Sequence, residues 1–296
     1  MNYRHAFHAG NFADVFKHIC LARILVHLRG KPAPFRVIDT HAGAGLYDLE
    51  GEEANRTGEW REGVGRLDAT PLAPPAAELA APYFAALRAA NPHQGLRHYP
   101  GSPLIAHGLL RQQDRLLACE TEAAAAFALS RHLHRAAPDN SRRGDRCKTL
   151  RIDGWVALNA SVPVKERRGL VFIDPPYEQP DDFVRAAGAA VAAHRKWPTG
   201  VYLLWYPIKS RDGPQFIAKA LERAAIGKAM RAELQVSVAH PDAGLNACGV
   251  IVINPPWKLA AELEILLPAL VEVLGRDAGR GHALDWLDRI AARAPG

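Results

Sequence analysis

The chain has 296 residues, 48% of them hydrophobic and 23% charged, with a net charge of +6 and a pI near 9.2. This is the balance of a globular protein with a substantial core, in one large α/β domain or two smaller ones, and no apolar run approaches the roughly 20 residues of a membrane span, which excludes an integral helical membrane protein. Cys20, Cys119, Cys147 and Cys248 are scattered without a C-x-x-C pair, so reduced core thiols are expected. The polar start, Met1 to Asn11, lacks the apolar centre of a secretion signal and predicts a cytoplasmic protein, while the positive charge favours a polyanionic partner.

In chain order, Tyr3 to Asn11 is aromatic and basic without a clear period, which predicts an ordered arm or a mobile lid. From Asp14 to Leu28 apolar residues recur at three- and four-residue steps and Gly30 follows, so an amphipathic helix is expected. Lys17 and His18 lie within it, and spacing alone favours a solvated face, with Asp14 an i,i+4 partner for His18.

Phe35 to Asp39 reads as a short strand ending in a carboxylate, followed by Thr40-His41-Ala42-Gly43-Ala44-Gly45. Small residues and two glycines let backbone N–H groups approach a ligand closely. The G-x-G-x-x-G dinucleotide pattern is not met, because Asp48 stands where its last glycine would be. The D-x-x-x-G-x-G form is instead that of S-adenosylmethionine-dependent methyltransferases.

Residues 46–100 interrupt the alternation of strands and helices. Ala54 to Leu67 and Pro75 to Ala90 look helical, so an inserted helical subdomain is expected, dividing a methyltransferase domain of residues 1–45 and 101–296. Arg56, Trp60, Arg61 and Arg66 of this insert read as RNA contacts or as a solvated face with one packed Trp. Ser102 then caps a helix to about Gln112.

Arg115 to Cys119 predicts a second strand closed by Glu120, a carboxylate suited to two ribose hydroxyls or, equally, to the first turn of the following helix, Glu122 to Leu133. Cys147 to Ile152 predicts a third strand, with Asp153-Gly154 at its end. That pair suits an adenine amino group or a common turn.

Gly169 to Ile173 is an apolar run of strand length, stopped by Asp174-Pro175-Pro176-Tyr177. A carboxylate at the carboxyl end of the fourth strand of an open α/β sheet sits where such sheets bind ligands, and the plainer reading of the motif is a Pro-terminated strand with a capping Asp and a packed Tyr. A helix from Asp182 to Lys196, a fifth strand to Tyr206, a helix from Pro214 to Ala225, strands Glu233 to Val238 and Gly249 to Ile253, and a helix Leu259 to Leu274 complete the chain. The result is an α/β, Rossmann-like, mostly parallel seven-stranded sheet with an antiparallel pair at its end. Asn254-Pro255-Pro256-Trp257 repeats the grammar of the Asp174 motif, but it closes the seventh strand and is expected to be a turn or pocket wall.

The chemistry of Asp-Pro-Pro-Tyr is that of an sp² amine. Such a nitrogen is a poor nucleophile until its two N–H groups are held by acceptors that favour a pyramidal geometry. Asp174 and the Pro175 carbonyl provide the acceptors, and Tyr177 an aromatic platform for an extruded base.

Tyr3-Arg4-His5, Phe7 to Asn11, Ala13 to Val15, Lys17-His18, Asp39 to Gly45, Arg56 to Glu59, Tyr99 to Ile105, Ile173 to Glu178, Leu204 to Pro207 and Ile251 to Lys258 together resemble the bacterial 23S ribosomal RNA adenine-N6 methyltransferase family RlmJ, over nearly the whole chain. The resemblance implies methyl transfer from S-adenosylmethionine to N6 of one adenine of 23S rRNA, without a metal, membrane or obligate protein partner, and with the arm closing over the cofactor in a monomer. It makes Asp174 the catalytic acceptor, with Pro175 and Tyr177 beside it. His18, His41, Ser102, Glu120, Asp153 and Gly154 become cofactor contacts with the Asp39–Gly43–Gly45 loop, Lys17 lines the same pocket, and Tyr3 contacts RNA, with Arg4 beside it. Rival readings are a DNA adenine or cytosine-N4 methyltransferase and a catalytically silent RNA-binding protein. A metal hydrolase on His5, His8, His18 and His41 lacks a helical His pair with a third ligand.

Overall fold

The computed structural model describes residues 4–136, 146–238 and 244–287. Its centre is the run of short apolar strands read from the sequence: β1 (Arg36–Asp39), β4 (Arg115–Glu120), β5 (Cys147–Arg151), β6 (Gly169–Ile173) and β7 (Val201–Pro207), all parallel, in the order β5-β4-β1-β6-β7. Beyond β7 lie β9 (Ala247–Ile253), β8 (Ala229–Gln235) and β10 (Gly281–Trp286), joined by antiparallel pairing. The sheet therefore has eight strands where seven were expected. β10 is an edge strand of sequence GHALDW, and its mixed polarity hides it from a hydrophobic count. A separate two-stranded ribbon, β2 (Leu46–Asp48) with β3 (His98–Pro100), brings the two ends of residues 46–100 together.

Helices cover both faces of the sheet, which is why its strands are apolar throughout instead of alternating with polar residues. Leu170 and Phe172 of β6 point to one hydrophobic cluster and Val171 and Ile173 to the other. On the first face pack α1 (Phe12–Arg29), α4 (Pro74–Ala90), α5 (Ser102–Leu109), α6 (Ala123–Ala136) and α10 (Leu259–Leu274). On the second pack α7 (Gly154–Ser161), α8 (Asp182–Lys196) and α9 (Asp212–Arg223).

The helix α1 is not the amphipathic helix that its spacing predicts. Every residue of α1 from Phe12 to Leu25 is buried, Lys17 and His18 included, because the helix lies between the sheet and the helices α4, α5 and α10. The expected helix from Ala54 to Leu67 is also broken. Gly58, at φ +66°, and Gly63 divide it into α2 (Glu52–Thr57), a 3-10 turn Glu59–Glu62 and α3 (Val64–Ala69). Ser102 does not cap α5: it is the first helical residue, Gly101 is the cap, and the helix ends at Leu109, short of Gln112.

Within the first face, Arg23 of α1 forms a two-pronged pair with Glu262 of α10 (2.7 and 2.9 Å), and His27 adds a bond of 3.0 Å to the same carboxylate. Burial pushes the Glu262 carboxyl up, but the hydrogen bonds from Arg23 and His27 outweigh it and hold it below the usual range. Glu262→Ala leaves the Arg23 guanidinium buried without its partner and is expected to cost about 3 kcal/mol, seen as a fall of several degrees in melting temperature. An unchanged melting curve would show that this pair contributes nothing to joining α1 and α10.

Candidate active site

The carboxyl ends of β1, β4, β5 and β6 each carry an acidic residue on or just beyond the strand: Asp39, Glu120, Asp153 and Asp174. Chain order reverses between the β1-β4-β5 side and the β6-β7 side, so β1 and β6 flank the switch-point crevice. Asp174, the glycine loop after Asp39 and the start of α1 meet at this point.

Asp174 is held by Lys17, whose Nζ lies 2.6 Å from Oδ2. The same ammonium lies 2.8 Å from Asp14 Oδ1 and 4.9 Å from the ring centroid of Trp205. Asp14 in turn accepts hydrogen bonds from Gly10 N–H (2.9 Å) and pairs with His5 Nε2 (3.0 Å). Asp14 therefore binds Lys17 and the N-terminal arm, not His18 as its spacing suggested. Burial acts against the charge on Lys17, but Asp14 and Asp174 more than compensate and raise its pKa. For Asp174 burial wins, and its pKa is raised in spite of Lys17.

His18, fully enclosed, hydrogen-bonds through Nδ1 to the Tyr99 hydroxyl (2.8 Å), and desolvation lowers its pKa to about 3, so it is neutral. Asp39 is 1% exposed, its Oδ1 has no hydrogen-bond partner, and burial raises its pKa to about 7, against the opposing hydrogen bond from Ser102. Ser102 thus meets Asp39 instead of capping a helix. Desolvation lowers His41 to about 4. The Thr40 hydroxyl donates its proton to the Phe172 carbonyl (3.0 Å), so at the 2.8 Å contact the proton belongs to His41 Nδ1 and Nε2 is left as an acceptor.

In the loop, Gly43 and Gly45 have φ of +61° and +81°, and a Cβ on Gly43 would lie 2.1 Å from the Tyr47 hydroxyl. Glu120 accepts the Gly43 N–H (2.9 Å) and the Glu122 N–H (2.8 Å), so it ties the loop to the entry of α6. Asp153 caps α7 by accepting from Trp155 N–H (2.8 Å) and Val156 N–H (3.1 Å). Gly154 has no room for a side chain, since a Cβ would stand 2.0 Å from the Thr40 carbonyl oxygen. Thr40, His41, Glu120, Asp153 and Pro175 line one cavity of about 190 Å³.

Two more residues of this cavity were not singled out in the sequence. Trp155 meets the His41 ring edge-on at 4.8 Å, and Arg185 lies over Trp155 at 5.6 Å and 3.6 Å from Asp153. The position of Trp155, directly after Asp153-Gly154, was the available signal.

Tyr177 sits in the left-handed region (φ +52°), donates its hydroxyl to the Trp205 carbonyl (2.7 Å), and packs against Phe183 and Trp205. Arg4 is exposed and lies 3.2 Å from Glu53 of the insert, while Tyr3 lies outside the described residues. Among the described residues no group of three or more His, Cys, Asp or Glu could hold a metal, and no helix is long and apolar enough to cross a membrane.

Asn254 belongs elsewhere. β9 runs antiparallel to β7 with Ile253 opposite Tyr202, so Asn254 lies at the amino ends of the parallel strands, away from Asp174. It is a turn residue whose Nδ2 donates to the Pro198 and Gly200 carbonyls (2.7 and 2.8 Å).

An open α/β sheet with a glycine loop after its first strand and Asp-Pro-Pro-Tyr after its fourth defines the methyltransferase class. The chain matches the family model "Ribosomal RNA large subunit methyltransferase D, RlmJ" over residues 32–288. It is 40% identical to Ribosomal RNA large subunit methyltransferase J of Escherichia coli over 97% of this chain and 99% of that protein, and 39% identical to its namesake in Haemophilus influenzae over the same shares. A crystal structure of a Legionella pneumophila protein aligns with a TM-score of 0.82 at 30% identity, covering 94% of this chain and 98% of that one. A probable spermidine synthase from Corynebacterium glutamicum aligns with a TM-score of 0.50 at 14% identity over 96% of this chain and 79% of its own, a likeness of fold alone. The chain belongs to the RlmJ family.

The Asp39 environment has a consequence for stability. A carboxyl that holds its proton more tightly in the folded state makes stability fall as pH rises from its ordinary 3.8 to about 7. Asp39→Asn removes that charge and is expected to melt several degrees above the parent at pH 8, with the gap closing as pH falls toward 4. A difference independent of pH would show that Asp39 is not protonated more readily in the folded chain.

Proposed function

We propose that the chain transfers a methyl group from S-adenosylmethionine to N6 of one adenine in 23S ribosomal RNA. Family membership supports the large-subunit rRNA substrate and the cofactor. The observation that carries the residue roles is the position of Asp174 at the end of β6, paired with buried Lys17 and next to the glycine loop.

The residues present fit the cofactor. The Asp39 Oδ1 atom without a protein partner, the neutral His41 with a free acceptor nitrogen and the cavity lined by Glu120, Asp153 and Gly154 suit a molecule with an amino acid moiety, ribose hydroxyls and an adenine. The cofactor supplies a methyl group activated by a sulfonium. Asp39, His41, Ser102 and the Gly43–Gly45 loop hold one end of it, and Glu120, Asp153 and Gly154 the other. Lys17 and His18 form the floor.

Asp174 has several acceptor sites and Lys17 occupies one, which leaves Oδ1 for one N–H of the target amine. The Pro175 carbonyl accepts the second N–H. Both bonds favour the pyramidal nitrogen that methyl transfer requires, and the Asp174 carboxylate accepts the proton released. Lys17 opposes the burial that raises the Asp174 carboxyl and so favours its ionised form. Tyr177, fixed by its bond to the Trp205 carbonyl, stacks on the extruded base.

Residues 46–100 form an inserted subdomain of a methyltransferase domain made from 1–45 and 101–296. Its first half holds the arm: His8 pairs with Glu59 (2.9 Å), Asn11 Nδ2 donates to the same carboxylate (3.0 Å), and Val64 N–H donates to the Gly10 carbonyl (2.8 Å). The arm, with Tyr3 and Arg4 at its start, closes over the cofactor and touches RNA. The enzyme works as a cytoplasmic monomer without an obligate protein partner, where ribosomal RNA is made.

Asp174→Ala is expected to fold and to bind S-adenosylmethionine by calorimetry, with methyl transfer to a 23S rRNA transcript reduced about a hundred- to ten-thousand-fold. Near-normal turnover would remove Asp174 from the mechanism, and methylation of duplex DNA in place of rRNA would replace the substrate. Lys17→Met takes away the cation that offsets burial, so the Asp174 carboxyl should rise further and the acidic limb of the kcat profile should move to higher pH. Lost activity that no rise in pH restores, even in part, would show that Lys17 does more than hold Asp174 ionised.

A further inference from the structure

The end of the sheet opposite Asp174 has the reverse chemistry. Register places the start of β8, the finish of β9 and the starts of β7, β6 and β1 side by side along one edge. Along that edge stand Lys228, Lys258, Lys196, Lys165, Arg167 and Lys31, every one exposed. At about 4.8 Å between strands they span roughly 20 Å. Of the carboxylates at this end, Glu166 is taken by Arg36 (2.9 Å) and Asp114 by Arg111 (2.9 Å), and exposed Glu222 at the end of α9 is outnumbered by the cations.

Compensation of helix dipoles explains Lys196, which lies in the last turn of α8. It does not explain Lys31, Lys165, Arg167, Lys228 and Lys258, which are in loops. Nor does it explain Trp257, which is 85% exposed, with Lys258 Nζ 4.9 Å from its ring centroid. An indole left in water costs the fold its burial and offers a face on which a base can stack. An acid-poor row of cations with such a ring fits a nucleic acid backbone better than a protein or lipid partner, which offers no planar base.

We propose that this edge, with Trp257 as its stacking platform, is a second RNA-binding surface that anchors a part of the substrate RNA remote from the target adenine. It rests on the reading that the substrate is a large RNA. The carboxyl-end site and its arm then handle the target base and the RNA immediately around it.

The test measures binding of the full-length chain to a 23S rRNA transcript without cofactor, across salt concentrations, and turnover of a short hairpin carrying the target adenine. Lys165→Ala/Arg167→Ala/Lys228→Ala/Lys258→Ala should bind the transcript at least about ten-fold more weakly at low salt. Its log–log salt slope should be shallower by about three to four, because each of the four lost phosphate contacts contributes about 0.7 to 0.9. Trp257→Ala should weaken binding about five-fold or more without changing that slope. Both variants should turn over the hairpin with the parent's kcat and KM. Parental transcript affinity and salt slope in the quadruple variant overturn the proposal, as does an equal loss on the hairpin, or a loss of binding to phosphatidylserine vesicles with RNA binding untouched. Because binding is read apart from transfer, a chain that binds the transcript but methylates nothing overturns the activity, while the difference between parent and variant still supports the surface.

Discussion

The Lys17 ammonium, sealed between Asp14 and Asp174, is the constraint on which the rest of the site depends. An unpaired ion in that position would carry a desolvation penalty of several kcal/mol, so the carboxylates serve the fold as well as the chemistry, and Asp14 alone still leaves the ammonium paired. Each partner then recruits another element. Asp14 takes the Gly10 N–H and His5, which docks the arm, and Asp174 fixes the end of β6. Trp205, on β7, closes the cluster with its ring against Lys17 and its carbonyl on Tyr177. One buried cation thus sets the relative positions of the arm, α1, β6 and β7.

The carboxylates at the strand ends differ because their surroundings differ. Asp39 is buried with one oxygen unmatched and is pushed toward its neutral form, whereas Glu120 and Asp153 each accept two backbone N–H groups. Asp174 stands between these cases, raised by burial and opposed by Lys17. Residues of one type at equivalent positions in one sheet are thereby suited to separate tasks.

Much of this was legible in the sequence, for physical reasons. A strand buried on both faces is a continuous apolar run, and a carboxylate that ends it is conspicuous, so β1, β4, β5 and β6 and their acidic residues could be placed. Counting strands ranked Asp174 above Asn254, and the physical reason the two lie apart is direction: β9 runs against β7 and delivers Asn254 to the opposite end of the sheet. α1 was misjudged because two polar residues in a helix normally mark its wet side. Asp14 and Lys17 are neighbours at i,i+3, but the third member, Asp174, is far away in sequence, and periodicity carries no information about such a partner. Trp155 and Arg185 were missed likewise, since their role comes from α7 and α8 packing side by side.

The site also poses an electrostatic problem that the substrate must meet. Asp39, Glu120, Asp153, Asp174 and Asp182 gather at one end of the sheet, while an RNA carries a charge on every nucleotide. Repulsion between exposed charges decays over roughly 8 Å at physiological ionic strength, so a backbone kept outside that range is little affected, and one drawn into the crevice is not. A nucleobase is uncharged, and its extrusion carries the reacting amine inward while its phosphates stay out. Cations that hold the backbone are best placed away from the carboxylates, because those within the cluster are already engaged, Lys17 by Asp14 and Asp174 and Arg185 by Asp153 and Asp182. An acidic pocket that accepts a base from a polyanion gains when part of the binding energy comes from cations elsewhere on the molecule.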